Sequence, residues 1–314
     1  MAELFLYRSA RVAYPEHMKI VFHVTASALS LALVAMPVHA VQALEHPQVS
    51  PGAATDSRGA TQQDAGGIGY ADIADLVLSA PVIADATIRS TAKIKPAEAP
   101  NLAPGFVRLY IEADVTALIR GADGLPPRIG YLLDVAPDSA GRVPKFKKAR
   151  VLIFARPVPG AANQVQLVAP DAQVSWTQTT DTRARNIAKD ALASDAPPVI
   201  TGVGNAFHVA GALPGEGETQ IFLTTADQRP VSLSILRRPG EQPRWAVALS
   251  EIVDESAAPP APETLLWYRM ACALPPTLPA RSTGSLEAAD ATIAREDYAY
   301  VLAALGPCGR TRKI

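Results

Sequence analysis

From Phe106 to Arg120 the chain alternates. Val107, Leu109, Ile111, Ala113, Val115, Ala117 and Ile119 are apolar, and Arg108, Tyr110, Glu112, Asp114, Thr116 and Arg120 fall between them. A helix repeats its faces every 3.6 residues and cannot use a period of two. The run is therefore a strand with one face buried and the other in water. Further strand patterns lie at Val82 to Ile94, Ile129 to Val135, Arg150 to Arg156 and Gln164 to Val168, and Trp176 closes the set. Gly, Pro and Asp punctuate the gaps at 121–127, 137–141 and 157–161. Five strands in this space predict a small barrel or sandwich over 70–180, with the ordered chain opening as strands near Tyr70.

The order of strands is informative. A long first strand, a strongly alternating second one and the buried run Val151-Leu152-Ile153-Phe154 together resemble an OB-type Greek-key barrel. Thr182 to Ala193 then carries Ala184, Ile187, Ala188, Ala191 and Leu192 on one helical face, and Pro197-Pro198 ends it, which predicts a linker helix over 181–198. Strands return at Ala206 to Ala210, Thr219 to Thr225, Val231 to Arg237 and Trp245 to Val253, the last two joined by a turn at Pro239-Gly240. Such a meander buries one face and needs a cover. The cover is expected from the segment starting at Thr264 and from a helix over Leu286 to Leu305, with Ser285 as N-cap and Gly306 as stop. The expected fold is mainly β, α+β overall: an N-terminal OB-like or small β-barrel or sandwich module, then over 199–314 an antiparallel β-meander covered by two C-terminal helices.

The compartment is read from residues 18–43. Lys19 supplies a basic start, Val24 to Met36 an apolar core, and Pro37 breaks the helix before Val38-His39-Ala40, the three parts of a signal peptide in order. The core is shorter than the roughly 20 apolar residues a span needs, so no stable membrane span is expected after processing. Residues 1–17 read as an extension from an upstream start, and 44–69, rich in Gly, Ala, Gln, Pro and Ser, as a disordered linker. The expected location is periplasmic or secreted. Loss of residues 1–40 removes Arg8, Arg11 and Lys19 against Glu3 and Glu16, which moves the net charge from -1 to -2 and gives no reason to expect nucleic acid. Cys272 and Cys308 are the only cysteines. An even count in an exported chain favours one disulfide over two buried thiols, stabilising by roughly 4 kcal/mol.

Signatures of chemistry are sparse. Three of the five histidines, His17, His23 and His39, leave with the leader, and His46 lies in the linker. His208 alternates with Phe207 and Val209, so it is expected on the wetter strand face, where Glu216 or Glu218 could serve as its acid partner. A single structured histidine leaves no metal set, and no cofactor is expected. Gly202-Val203-Gly204 lacks the third glycine of a phosphate cradle. Ser90-Thr91-Ala92-Lys93 matches an S-x-x-K motif but falls in a strand with no partner K-T-G. Paired carboxylates leave no motif, so Glu216, Glu218, Glu251 and Asp254 form the pool for an alternative reading, a periplasmic hydrolase or transferase.

Two surfaces suggest binding. Arg142, Lys145, Lys147, Lys148 and Arg150 surround Phe146 in one loop, suited to an anionic partner or, as solvated charges, to guarding a strand edge. Arg237, Arg238 and Arg244 gather beside Trp245 at a hairpin. The pieces GETQIFLTT, SLSILRRPGEQPRW and LLWYRMACALP, within Thr201 to Pro279, resemble uncharacterised exported proteins of Gram-negative bacteria, a resemblance that implies no activity. The functional expectation is an exported accessory or binding protein of the cell envelope whose partner is an envelope protein or a saccharide.

Overall fold

The computed structural model describes residues 67–250 and 257–312. The expected extension, the signal peptide and nearly all of the linker lie outside the described residues, as do Glu251 and Asp254. Among the described residues there are ten strands and four α-helices, a mainly β architecture. None of these helices is long and apolar enough to cross a membrane.

The first element differs from the expectation of strands: Tyr70–Ser79 is a helix, α1. Tyr70, Ile73, Ala74 and Val77 recur at helical spacing and are buried, but a helix this short presents too few repeats to stand out beside strand patterns. Pro81 ends it by holding Ala80 in extended backbone.

Five strands close into a barrel. They are β1 (Val82–Lys93), β2 (Val107–Arg120), β3 (Arg128–Val135), β4 (Arg150–Val158) and β5 (Ala161–Leu167). β1 pairs antiparallel with both β2 and β4, β2 with β3, and β4 with β5, while β3 runs parallel to β5. Register shifts after Ile83, Asp85 and Ile88 bend β1 so that it can serve both neighbours. The short β6 (Gln173–Ser175) continues along β4 beside Val151–Ile153. Ile88, Leu109, Ile111, Ile129, Tyr131, Val151 and Ile153 fill the interior. Leu152 and Phe154 point outward into a second cluster with α1, so 151–154 is apolar without alternation because both faces are buried.

Helix α2 (Gln178–Leu192) opens on a capping box. The Thr180 amide donates to Thr177 Oγ1 at 3.1 Å, and the Thr177 amide donates to Thr180 Oγ1 at 2.9 Å. Then come β7 (Ile200–Ala210), β8 (Gly217–Thr225), β9 (Val231–Arg237) and β10 (Arg244–Ala248), an antiparallel sheet in chain order. Its inner residues Ile221, Leu233, Ile235 and Trp245 share one core with Met270 of α3 (Leu265–Ala271) and Tyr298 and Val301 of α4 (Ala288–Leu305). The N-cap of α4 is Glu287, not Ser285, because a 3-10 turn over Ala280–Thr283 occupies the chain just ahead and the Leu286 amide still bonds the Thr283 carbonyl.

Two devices fasten the cover. Cys272 and Cys308 form the expected disulfide, joining the end of α3 to the chain after α4. The tail then returns to α1. Arg310 donates to Asp75 at 2.7 and 2.9 Å, the Thr311 and Arg312 amides donate to the fully buried Asp72 at 2.9 and 3.0 Å, and Arg312 makes a two-pronged pair with Asp171. The Arg312 guanidinium holds the Asp171 carboxyl below the usual carboxylate range.

Candidate functional site

The barrel is laddered on four of its seams and registers at a single position on the fifth. β3 and β5 register at a single pair, Gly130 with Gln164. β2 covers the other edge of β3 along its whole length. A clasp holds the one meeting point: the Tyr110 ring crosses directly over Gly130, and Gln164 Nε2 donates to the Tyr110 hydroxyl at 3.0 Å. A Cβ on residue 130 would sit 2.1 Å from that hydroxyl oxygen, so only glycine admits the crossing.

At this seam lies a groove of 610 Å³ lined by Leu132 and Asp134 of β3, Gln166 of β5 and Arg156 of β4. Arg108 forms one wall, its guanidinium paired with Asp134 at 2.7 and 2.8 Å and bonded to the Pro100 carbonyl at 3.0 Å. Arg108 also lines a smaller groove of 340 Å³ with Lys93, Lys95 and Phe106. These openings are of the size that takes small ligands or short chain segments. Leu132 is 49% and Phe106 43% exposed, large apolar groups left in water at the groove.

The basic loop 142–150 divides its residues among different tasks. Arg142 folds back onto Asp138 at 2.8 Å. Phe146 packs against the barrel core. Lys148 takes a left-handed backbone, and its amide bonds the Ile88 carbonyl at 2.7 Å. Arg150 grips the buried Asp85 at 2.9 and 2.6 Å and stacks 3.7 Å over the Trp176 ring. Lys145 and Lys147 are exposed. The loop thus presents the side chains of three exposed lysines, Lys145, Lys147 and Lys148, and spends its arginines on local structure.

No family model and no curated protein matches this chain.

The second predicted surface is also dispersed. Trp245 is buried in the core, Arg244 pairs with Glu241 at 3.2 Å, and Arg238 is exposed. Arg237 turns to α4, where its Nε donates to Asp297 at 2.7 Å and Nη2 reaches Glu296 at 3.3 Å.

Asp297 leads to an arrangement that the strand pattern does not reveal. His208 is 9% exposed, on the inner face and not the wetter one. Its Nδ1 lies 2.9 Å from Thr219 Oγ1, and that hydroxyl donates to Asp297. With the Thr219 proton given to the carboxylate, the Thr219 oxygen is left to accept a hydrogen bond from a proton on His208 Nδ1. α4 covers this end of the sheet, so the face that alternation marks as wet is dry here. Gly217 leaves room for the ring, since a Cβ there would meet His208 Cε1 at 2.7 Å. The expected carboxylate partners are elsewhere. Glu216 Oε2 accepts from the Ala212 and Leu213 amides, and Glu218 accepts from Ser234 on the outer face.

Among the described residues no three His, Cys, Asp or Glu side chains group as metal ligands. Ser90 of the S-x-x-K match lies in β1 and donates to Glu112 at 2.6 Å.

Proposed function

We propose that this chain is an exported accessory or binding protein of the cell envelope, periplasmic or secreted, and that its barrel is an OB-type module that receives an envelope protein or a saccharide. One observation carries the reading: a closed five-stranded barrel with an open 610 Å³ groove at its parallel seam, walled by Arg108 and Arg156. The cyclic strand order β1-β2-β3-β5-β4 supports the OB-type assignment, and OB barrels bind along the strands 2 and 3 face, where Arg108, Leu132 and Asp134 stand. The leader pattern over 18–43 supports export. The alternative, a hydrolase or transferase with two carboxylates, has less behind it, because Glu216 is occupied by backbone amides and Glu218 faces away from His208.

The test is photocrosslinking in intact cells. A benzophenone amino acid at Leu132 is expected to capture an envelope component that the same group at Phe207, on the outer face of the second sheet, does not. No capture at Leu132 contradicts the reading.

A further inference from the structure

Lysine is unevenly placed in this chain. Six lysines lie among the described residues, and five of them, Lys93, Lys95, Lys145, Lys147 and Lys148, stand at one end of the barrel. The register puts them there. Lys93 of β1 pairs with Leu109 and Val107 of β2 with Val135, so β1 and β3 end where β2 begins. The chain that leaves β3 at Val135 crosses this end, sends Val143 and Phe146 to the barrel core, and rejoins β1 where the Lys148 amide bonds the Ile88 carbonyl. All five lysines are exposed, and among the described residues none has an acid partner. The arginines at this end are already occupied: Arg108 by Asp134, Arg142 by Asp138 and Arg150 by Asp85. Glu98 is exposed there without a cation, one acid against five lysines.

Two tight turns form the tips of this end. Pro104 and Gly105 make the first, closed by the Phe106 amide on the Ala103 carbonyl at 3.1 Å, with Gly105 at a φ of 82°. It holds Phe106 43% exposed. Lys147 and Lys148 make the second, closed by the Ala149 amide on the Phe146 carbonyl at 2.8 Å. Lys148 takes a φ of 71° there, a left-handed position that glycine or asparagine fills more easily. Glycine would suit the backbone better, and lysine supplies a charge at the tip. Between the tips, the 340 Å³ groove has Ile94, Leu102 and Val107 among its lining and Lys93, Lys95 and Phe106 around it.

Unpaired cations around an exposed apolar tip complement one kind of surface. Single-stranded nucleic acid is held by a row of ring faces on which bases stack, and here Phe146 packs inward and leaves Phe106 alone. Forked recognition of single phosphates or carboxylates uses arginine, and the arginines here are taken. Lysines act as point charges that answer a diffuse negative field, and an apolar side chain among them gains by leaving water for the boundary of headgroups and acyl chains.

We propose that this end of the barrel docks on an anionic lipid bilayer, with Phe106 entering the headgroup boundary and the five lysines lying over the lipid phosphates. This surface is separate from the groove at the β3–β5 seam, and the proposal does not depend on that groove.

The test is sedimentation of the full chain, as recovered from cells, with vesicles of equal parts phosphatidylglycerol and phosphatidylcholine, against vesicles of phosphatidylcholine alone. Binding to the anionic vesicles is expected to be at least tenfold the stronger and to weaken as salt is raised. K148G should lose about fivefold in affinity, the effect of one cation near such a surface, while its melting temperature stays at or above the parent's. F106S should lose about fivefold on the same vesicles. Replacing all five lysines, as K93Q, K95Q, K145Q, K147Q and K148G together, should reduce binding to the level seen on phosphatidylcholine. K189Q, at an exposed lysine of α2, should bind as the parent does. Absence of binding to the anionic vesicles overturns the proposal, as does equal binding to both kinds of vesicle. So does a loss in K189Q equal to that in K148G, or tighter binding of an oligothymidylate or an oligogalacturonate than of the vesicles.

Discussion

The two β regions solve one problem in opposite ways. The barrel buries its apolar face by closing on itself, and its outer polar residues pair mainly with one another from strand to strand, as Ser90 does with Glu112, Arg108 with Asp134 and Arg128 with Asp114. The four-stranded sheet stays open and must be covered, and the residues that look most functional there are spent on holding the cover. His208, Thr219, Arg237 and Asp297 stitch the sheet to α4, and the disulfide and tail stitch the helices to one another and to α1. A closed sheet ties its polar groups strand to strand, whereas a covered sheet ties them to the helix above it.

This contrast can be broken experimentally, and the largest effect is expected in the covered sheet. D297A removes the fully buried acid that answers Arg237 and Thr219, and it should cost about 3–5 kcal/mol in urea unfolding, as removal of one partner of a buried charge pair does. A loss below about 1 kcal/mol would mean that the stitch holds nothing. Replacing Cys272 and Cys308 by Ser should cost about 2–4 kcal/mol, with the added hydrogen exchange concentrated in α1, α3 and α4 while the barrel interior is spared. Uniform loosening of the barrel would show that the two regions are not distinct in this respect.

How far this division was legible in the sequence depends on the range of the contacts. The strand runs and α2 depend on local periodicity and stand close to where the pattern predicts them; β9 coincides with its predicted span. The disulfide follows from an even count of two. Helix α1 was hidden because it is short and sits directly before a strand. The groove was hidden for a different reason: it lies where β3 and β5, distant in sequence, come together, and no local pattern around Gly130 or Gln164 marks a seam. His208 was misplaced because alternation reports which residues share a face but not which distant helix dries it, and Asp297 belongs to α4. The basic loop was visible as charge, yet its arginines find Asp138 and Asp85 only in the folded chain.

Smaller effects sharpen the account. Y110F removes the hydroxyl that accepts from Gln164 and should cost about 1 kcal/mol while raising exchange in β5 more than in β1. An equal rise in both strands would deny the clasp its local role. The smallest effect is set by acid. The Asp171 carboxyl has a folded-state pKa below its unfolded value because of Arg312, so its contribution is present above the ordinary carboxylate pKa of about 4 and is lost as pH falls through the lowered folded value. D171N should flatten the acid limb of the stability curve slightly and leave neutral pH nearly unchanged apart from the lost pair. A variant as acid-sensitive as the parent would contradict that assignment.

The most direct test of the central claim is residue-resolved amide exchange of the unliganded barrel. A seam registered at one position predicts that, within Tyr131–Val135, alternate amides pointing to β2 are strongly protected and those pointing to β5 exchange orders of magnitude faster, while Ile83–Thr87 of β1, paired on both edges, shows no such alternation. Uniform protection along β3 would mean that the seam is closed in solution, and the groove could not then be the site on which the proposed function depends.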